Sequence, residues 1–282
     1  MNYKKLPWRG IIVSLILLIS FCFLVYTLII KNSLTTPTNN INVRTGPNLS
    51  YSVKDTLKKG QRIHIMTKKE NWYKIRYQDN TGWVASWLVN KPKKGTITTK
   101  LSEATIVLDP GHGGSDSGAL SQGNQEERTY TLQQAKMVEK QLKRYGTNVI
   151  MTRKGNQTVS LGDRAELATD NHADAFISFH YDSSPIADSA TGFTTYYYHT
   201  STSLRLAKTV NSEFSDLPLT NRGVKFGNFL VIRDNLRPAL LLEMGYINTK
   251  KDFSQIKSTR YQKRVAVDIT KGLNAYFKNL KK

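Results

Sequence analysis

The chain has 282 residues, and its 41 lysines and arginines against 21 acidic residues give a net charge of +20. This length predicts more than one domain but leaves no room for three large ones. The charge predicts an anionic partner, which would be nucleic acid, anionic lipid or an anionic polymer. The single cysteine, Cys22, excludes an intramolecular disulfide. Positive charge is densest in residues 32–100, with 13 basic and 3 acidic residues.

The N-terminal region has the pattern of a membrane anchor. Residues 10–30 are apolar and uncharged, and about 20 helical residues span the roughly 30 Å hydrocarbon core of a bilayer. A cleaved signal peptide is the alternative, but it would have a shorter apolar run and a small-residue cleavage site. Three basic residues in segment 1–9 precede the span and Lys31 follows it, which predicts a cytoplasmic N-terminus and an extracellular remainder. An extracellular location argues against nucleic acid as the partner of the basic surface. Cys22 is interpreted as an apolar residue of the span.

The next segment predicts a small β domain. Residues 31–40 are polar and predict a tether, and residues 41–90 alternate short strand patterns with turn residues. About 50 residues of this kind predict an all-β barrel. The expected strands are Ile41–Thr45, Thr56–Leu57, Arg62–Met66, Trp72–Tyr77 and Gly82–Val89.

This segment resembles the bacterial SH3 domain, in the motifs Asn42–Pro47, Lys59-Gly60, Asn71–Ile75 and Gly82–Val84. The resemblance implies a non-catalytic module of a kind that often binds peptidoglycan, and its lysines and arginines could meet an anionic wall polymer. Trp72 and Trp83 are interpreted as core residues. Tyr73 and Trp87 are candidates either for the core or for a wall-binding groove, and the sequence does not choose between these roles.

Residues 91–103 form a basic connector with Pro92 and Gly95 and predict a domain boundary. Residues 104–282 alternate strand and helix patterns, which predicts an α/β domain with a largely parallel core sheet flanked by helices. The expected strands are Thr105–Asp109, Asn148–Thr152, Ala175–His180, Gly192–Tyr198, Phe229–Arg233 and Ala239–Met244, and the expected helices are Glu126–Tyr145, Ser160–His172, Ser203–Phe214 and Arg260–Leu280.

Each of three apolar strand patterns in this domain is followed by a residue with a catalytic or metal-binding side chain. These residues are His112, His180 and Glu243. If the strands are parallel neighbours, their carboxyl ends meet at one edge of the sheet and these side chains converge. Two histidines and a carboxylate with an open fourth position form the ligand set of a catalytic zinc site. Spacing alone does not select the second histidine, although structural roles suit the remaining ones, His64, His172 and His199.

The same domain resembles the zinc-dependent N-acetylmuramoyl-L-alanine amidases of the Amidase_3 family. The motifs follow the family's order and span nearly all of residues 105–282. They are Leu108–Gly114, Glu127 with Leu132, Thr152-Arg153, Leu161, Arg164, Ala173–His180 and Pro238–Asn248.

The resemblance implies that His112, Glu127 and His180 bind one zinc ion and that Glu243 is the catalytic carboxylate. Glu126 stands beside Glu127 and is the alternative ligand, although the spacing to Leu132 favours Glu127. Relatives often carry asparagine two residues after the second histidine. This chain has Asp182 there, which leaves the role of that position open.

Three further residues have two interpretations each. Arg153 and Arg164 are candidates for binding an anionic group of the substrate, but ion pairs with Asp163, Glu166 or Asp174 are the favoured alternative. Asp109 either shapes a turn or supports a ligand histidine from behind.

The expected function is that of a membrane-anchored extracellular hydrolase, which cuts the amide between N-acetylmuramic acid and L-alanine of the stem peptide in cell-wall remodelling. The expected partners are peptidoglycan, the cytoplasmic membrane and an activating membrane protein, and no nucleic acid. The alternatives are a binding or scaffolding protein with a degenerate amidase domain, and another zinc hydrolase of small peptides or amides. Intact residues at all four site positions favour the amidase.

Overall fold

The computed structural model describes residues 8–27, 31–90 and 99–280. The chain forms two compact units, the second of which comprises Lys93–Lys282 together with Asn48–Tyr51. The first unit begins with helix α1, Trp8–Val25, which has no buried residue and carries Cys22 on its exposed surface. By length and composition, α1 is long and apolar enough to cross a membrane. The last three residues of the predicted span, 28–30, lie outside the described residues.

The rest of the first unit is a six-stranded sheet with the order β1-β4-β5-β6-β2-β3, in which all neighbouring strands are antiparallel. Trp72 is buried in its core, as predicted, whereas Trp83, Tyr73 and Trp87 are only partly buried. The elements are β1 (Ser33–Thr35), β2 (Ile41–Arg44), β3 (Val53–Leu57), β4 (Arg62–Lys69), β5 (Trp72–Tyr77), β6 (Asn80–Ala85) and α2 (Ser86–Asn90).

Two sequence-based expectations for this unit are wrong. Residues 31–40 are not a free tether, because Ser33–Thr35 pair with β4 and complete the sheet. A polar composition hides such an edge strand, since only its backbone needs to pair. The predicted strand Gly82–Val89 ends at Ala85, and Ser86–Asn90 form a short helix that buries Leu88 and Val89.

The second unit is an α/β fold with a mixed six-stranded sheet of order β11-β10-β12-β9-β7-β8. Strands β8, β7, β9 and β12 are parallel, β10 is antiparallel to β12, and β11 is parallel to β10. Its elements are β7 (Thr105–Pro110), α3 (Glu127–Arg144), β8 (Asn148–Met151), α4 (Leu161–Asp170), β9 (Ala175–Asp182), β10 (Phe193–Tyr197), α5 (Leu204–Ser212), β11 (Asn221–Phe226), α6 (Leu230–Arg233), β12 (Ala239–Tyr246), α7 (Lys250–Ile256) and α8 (Thr259–Lys278).

Helices cover both faces of this sheet. All six residues of β7 are buried, as expected for a central parallel strand between two layers of helices. Helix α8 packs on α3 and α5, while α4 packs on α6. Ser160 caps α4 by accepting a hydrogen bond from the backbone N–H of Asp163, which confirms the capping pattern in the sequence.

The predicted strand Phe229–Arg233 is wrong, because Leu230–Arg233 form the helix α6. A short apolar run fits either state, and here Val231 and Ile232 are buried against the sheet from a helical turn. Two observed elements, β11 and the short helix α7, have no counterpart among the predicted ones, and the six residues of β11 include no buried one. Neither element has the periodic apolar pattern on which such predictions depend.

Candidate metal centre

Strands β7, β9 and β12 are adjacent and parallel, so their carboxyl ends lie at one edge of the sheet. His112 follows β7 by two residues. His180 and Glu243 lie within β9 and β12 and are direct partners in the ladder between these strands. The predicted convergence of the three strand ends is therefore confirmed.

The loop after β7 turns through backbone conformations that most residues avoid. His112 has a φ of 60°, and Gly113 and Gly114 have φ values of 124° and 63°. Gly111 is required for another reason, since a Cβ at this position would overlap the ring of His180. The glycine at 111 thus makes room for a neighbouring site residue, rather than only for a ligand.

Glu127, the first residue of α3, lies between the two histidines. Its Oε2 is 3.0 Å from Nε2 of His112, and its Oε1 is 3.1 Å from Nδ1 of His180. Donor atoms of the three residues all lie within 4.8 Å of one another, in the one such group found among the described residues. Two imidazoles and a carboxylate fit a zinc ion and leave a fourth position for water or substrate.

Backbone groups hold the Glu127 carboxylate in place. The N–H of Ala119 donates to Oε2 and the N–H of Tyr181 donates to Oε1, both at 2.9 Å. Burial opposes ionisation of Glu127, but the hydrogen bonds and charges of His112 and His180 outweigh it and hold the pKa of this carboxyl well below its usual range. The carboxylate is therefore ionised and ready to bind a cation.

Glu126 belongs to a different contact. Its carboxylate accepts two hydrogen bonds from the guanidinium of Arg128, at 2.6 and 2.7 Å. Arg128 also donates to the carbonyl oxygen of Gly114. Of the two adjacent glutamates, it is Glu127 that lies in the cluster, whereas Glu126 orients an arginine that holds the glycine-rich loop.

Asp116, which the sequence analysis did not consider, supports His112 from behind. Its Oδ2 lies 2.8 Å from Nδ1 of His112. Such a bond selects the tautomer with a proton on Nδ1 and leaves Nε2, the nitrogen facing Glu127, free to bind a metal. The available signal was a carboxylate four residues after His112 within the same glycine-rich loop.

Asp109 does not contact a histidine, so the hypothesis of direct support for a ligand is wrong. It is fully buried and accepts hydrogen bonds from Arg164, Thr152 and Ser178, each at 2.7 Å. Arg164 in turn donates to the carbonyl oxygen of His112 at 2.8 Å. Asp109 therefore acts on the site only through the arginine that fixes the His112 backbone.

The structure gives Arg153 and Arg164 different partners from the expected ion pairs. Each is only 3% exposed. All three guanidinium nitrogens of Arg153 donate to protein oxygens, including the carbonyls of Pro110 and Gly111. The ion-pair partner of Arg164 is Asp109 rather than any of the three acids considered from the sequence. These arginines hold the loop after β7 from within, and Arg164 also borders a cavity next to His112 and His180.

Glu243 stands next to the cluster in a low-dielectric position. Its Oε2 is buried and has no hydrogen-bond partner among the described residues. Burial, reinforced by the negative charges of Glu127 and Asp182, raises the pKa of Glu243 well above its usual range. A carboxyl group whose pKa is raised in this way is suited to accept a proton and donate it again during a reaction.

Tyr196 and Tyr246 both lie close to Asp182, and neither was predicted from the sequence. Burial raises the pKa of Tyr196, and the negative charges of Asp182 and Glu243 add to this effect. Burial and a hydrogen bond with Asp182 raise the pKa of Tyr246 to about 12. Asp182 lies two residues after His180 on β9, and thus on the same face of the strand.

The two histidines of the metal cluster border a cavity of about 270 Å³. His112 and His180 line it together with apolar side chains of Leu161, Phe229 and Leu230. Leu161 and Phe229 are 55% and 38% exposed, so the cavity offers an apolar wall beside the histidines. The arrangement suits a substrate with both polar and apolar surfaces.

The remaining histidines lie elsewhere, as expected. His64 pairs with Arg76 between two strands of the first unit. His172 follows α4 with a φ of 48°. His199 has its Nε2 2.8 Å from the carbonyl oxygen of Arg233.

Comparison with known proteins agrees with this geometry. Residues 106–275 match the family described as N-acetylmuramoyl-L-alanine amidase (Amidase_3), and residues 39–90 match the bacterial SH3 domain. The chain is 39% identical over 250 residues to the probable cell wall amidase LytH of Staphylococcus epidermidis, covering 86% of this chain and 84% of the relative. It is 34% identical over 288 residues to LytH of Staphylococcus saprophyticus, covering 98% and 96%.

Solved structures show the same likeness for the second unit. The catalytic domain of the amidase CwlV from Bacillus (Paenibacillus) polymyxa has a TM-score of 0.60 and 34% identity, covering 62% of this chain and 98% of CwlV. The amidase CwlD from Clostridioides difficile, solved in complex with the GerS lipoprotein, has a TM-score of 0.59 and 26% identity, covering 62% and 98%. The chain therefore belongs to the Amidase_3 family of N-acetylmuramoyl-L-alanine amidases and carries a bacterial SH3 domain ahead of its amidase domain.

Proposed function

We propose that the chain is a zinc-dependent amidase, anchored in the cytoplasmic membrane, that hydrolyses the amide between N-acetylmuramic acid and L-alanine of the peptidoglycan stem peptide. The observation that carries this proposal is the cluster of His112, Glu127 and His180 beside Glu243 at one edge of the sheet. An inactive binding protein of this family would be expected to have lost at least one of these four side chains.

The chain's own residues account for the proton transfers. A zinc ion held by the three ligands would activate a water as nucleophile and stabilise negative charge on the amide oxygen. Glu243 accepts a proton from the attacking water and then donates it to the nitrogen of L-alanine, which leaves as an amine. Its raised pKa suits both steps, because the same carboxyl must be ionised first and protonated afterwards.

The anchor determines where this chemistry takes place. Helix α1 supports a single membrane crossing, and the excess of positive charge before it supports a cytoplasmic N-terminus. The SH3 and amidase domains are then outside the cell, where peptidoglycan is found. An activating membrane protein is a reasonable partner, since the related amidase CwlD forms a complex with a lipoprotein. Tyr73 and Trp87, both partly exposed, remain the candidates for wall binding by the SH3 domain.

The decisive experiment uses the full chain purified in detergent, loaded with zinc and incubated with peptidoglycan. We expect release of free stem peptides, detected by mass spectrometry with a new L-alanine amino terminus. A chelator should abolish release and zinc should restore it. Glu243→Gln should lose activity, while Glu139→Gln, a half-buried change on α3 far along the chain from the four site residues, should not. Unchanged release from the Glu243→Gln protein would refute the mechanism.

A further inference from the structure

Lys31 has backbone hydrogen bonds or direct neighbours on both sides, toward the proposed membrane helix and toward the SH3 domain. The backbone N–H of Lys31 donates to the carbonyl oxygen of Tyr26 at 3.1 Å. The next residue, Asn32, already accepts a hydrogen bond from the N–H of Ile65 in β4, at 2.8 Å. Since Lys31 is also the first charged residue after the apolar segment, the domain begins where the headgroup layer of the membrane begins.

Strand direction decides which end of the domain lies closest to the membrane. Strand β1 is antiparallel to β4, with Ser33 opposite His64 and Thr35 opposite Arg62. The upstream end of β1, where the chain arrives from the helix, therefore lies beside the downstream half of β4. That half continues into the β4–β5 hairpin, so this hairpin is at the membrane-proximal end.

This end of the domain is strongly basic, and we call it the basic end. It consists of Lys31, Lys68, Lys69 and Lys74. Lys68 and Lys69, the last two residues of β4, pair with Tyr73 and Trp72 of β5. Three of these lysines are exposed and Lys74 is half-buried. Among the described residues none of them forms an ion pair with a carboxylate within 4.0 Å.

The surroundings of the basic end match a lipid interface. The one acidic residue of the hairpin is Glu70 at its tip, so positive charge dominates. Met66, 41% exposed, presents an apolar side chain next to the lysines, and the half-buried Tyr73 lies opposite Lys68. Tyrosine and lysine beside an apolar side chain are typical of residues at the level of lipid headgroups.

We propose that the basic end binds the phosphate groups of anionic phospholipids in the outer leaflet and thereby holds the SH3 domain against the membrane surface. The proposal rests on α1 crossing the membrane, as proposed above. Lysine ammonium groups at the headgroup level attract anionic lipid even where they make no fixed contact. Tyr73 then faces lipid, and Trp87 remains as the candidate for contact with the wall.

The test uses the full chain in nanodiscs that contain phosphatidylcholine and phosphatidylglycerol, with the lipids retained on the protein counted by native mass spectrometry. The test variant is the triple substitution Lys68→Gln, Lys69→Gln and Lys74→Gln. The matched control, Lys58→Gln, Lys59→Gln and Arg62→Gln, removes the same charge from the opposite end of β4. All six positions are on the surface or half-buried, and thermal unfolding of each variant verifies the fold.

We expect the wild-type chain to retain phosphatidylglycerol in preference to phosphatidylcholine. The preference should fall by about fivefold for each lysine removed from the basic end and should change little in the control. The proposal is wrong if the wild type has no preference, or if both triple variants lose it equally. Soluble polyglycerol phosphate serves as a separate probe. The proposal is also wrong if the basic-end variant loses binding to this polymer but keeps the wild-type preference for phosphatidylglycerol.

A flotation assay separates this inference from the proposed function. The chain should float with vesicles of phosphatidylcholine alone after an alkaline carbonate wash, because the helix anchors it without anionic lipid. Failure to float would overturn the membrane anchor itself. Flotation without any preference for phosphatidylglycerol would overturn only the role of the basic end.

Discussion

Oδ2 of Asp116 lies 2.8 Å from Nδ1 of His112, and Nε2 of the same ring lies 3.0 Å from Oε2 of Glu127. The imidazole is thus held between two carboxylates with different tasks. Asp116 is exposed and sets the tautomer, while Glu127 is buried and belongs to the candidate metal centre. A mutation at Asp116 can therefore remove the support of His112 and leave all three candidate ligands in place.

Replacing Asp116 should weaken the metal centre without removing a ligand. Asp116→Ala leaves the His112 ring without its partner, and we expect metal affinity to fall by about 10- to 100-fold. A competition titration with a fluorescent zinc chelator measures this. Asp163→Asn, an exposed change at the start of α4, serves as the control and should leave affinity unchanged. An Asp116→Ala protein with wild-type affinity would contradict the assigned role.

The two adjacent glutamates provide a matched pair of variants. Glu127→Gln should abolish stable zinc binding, because it removes the central carboxylate of the cluster. Glu126→Gln should retain zinc, since this side chain contacts Arg128 instead. Metal content after dialysis, measured by plasma mass spectrometry, distinguishes them. If Glu126→Gln lost the metal and Glu127→Gln kept it, our choice between these residues would be reversed.

The pH dependence of hydrolysis should report on Glu243. A general base must be ionised to act, so the rate falls as pH drops through the pKa of Glu243. Burial raises this pKa most, and the negative charge of Asp182 raises it further. Removing that charge in Asp182→Asn lowers the pKa, and the acidic limb of the profile should therefore move to lower pH.

The profile is measured as kcat/KM against pH, with Asp170→Asn as an exposed control. Asparagine at position 182 can still accept the hydrogen bond that the N–H of Ser183 donates, so the loop should keep its shape. Glu243→Gln should reduce the rate by about 100- to 10,000-fold while zinc content stays normal. An acidic limb that stays in place or moves to higher pH in Asp182→Asn would refute the proposed coupling.

Arg164 should prove important for stability rather than for substrate binding. Arg164→Met leaves the carboxylate of Asp109 buried and without its charged partner, a change that typically costs about 3–5 kcal/mol. Hydrogen exchange of peptides covering β7 and the following loop should accelerate. Lys143→Met breaks the exposed pair with Glu139 and should have little effect. Normal exchange together with a raised KM would instead favour the substrate-binding interpretation.

The sequence by itself determined most of the secondary structure and the choice of candidate site residues. Apolar strands of β7, β9 and β12 carry a strong local signal, since a buried parallel strand needs apolar residues on both faces. Helix α3 was predicted within one residue of its observed bounds. The family motifs supplied His112, Glu127, His180 and Glu243, because a catalytic site needs fixed residue types at fixed places in the chain.

Tertiary structure decided what depends on partners distant in the chain. Ser33–Thr35 form a strand because they pair with the edge of β4. Leu230–Arg233 form a helix because a helical turn places two of their apolar side chains against the sheet. The burial of Arg153 and Arg164 and their role as internal supports of the loop after β7 also follow from the fold alone. The position of Glu127 between two histidines, like that of Asp116 behind one of them, arises only when the chain folds. Contact between side chains depends on distance in space, which local sequence patterns do not encode.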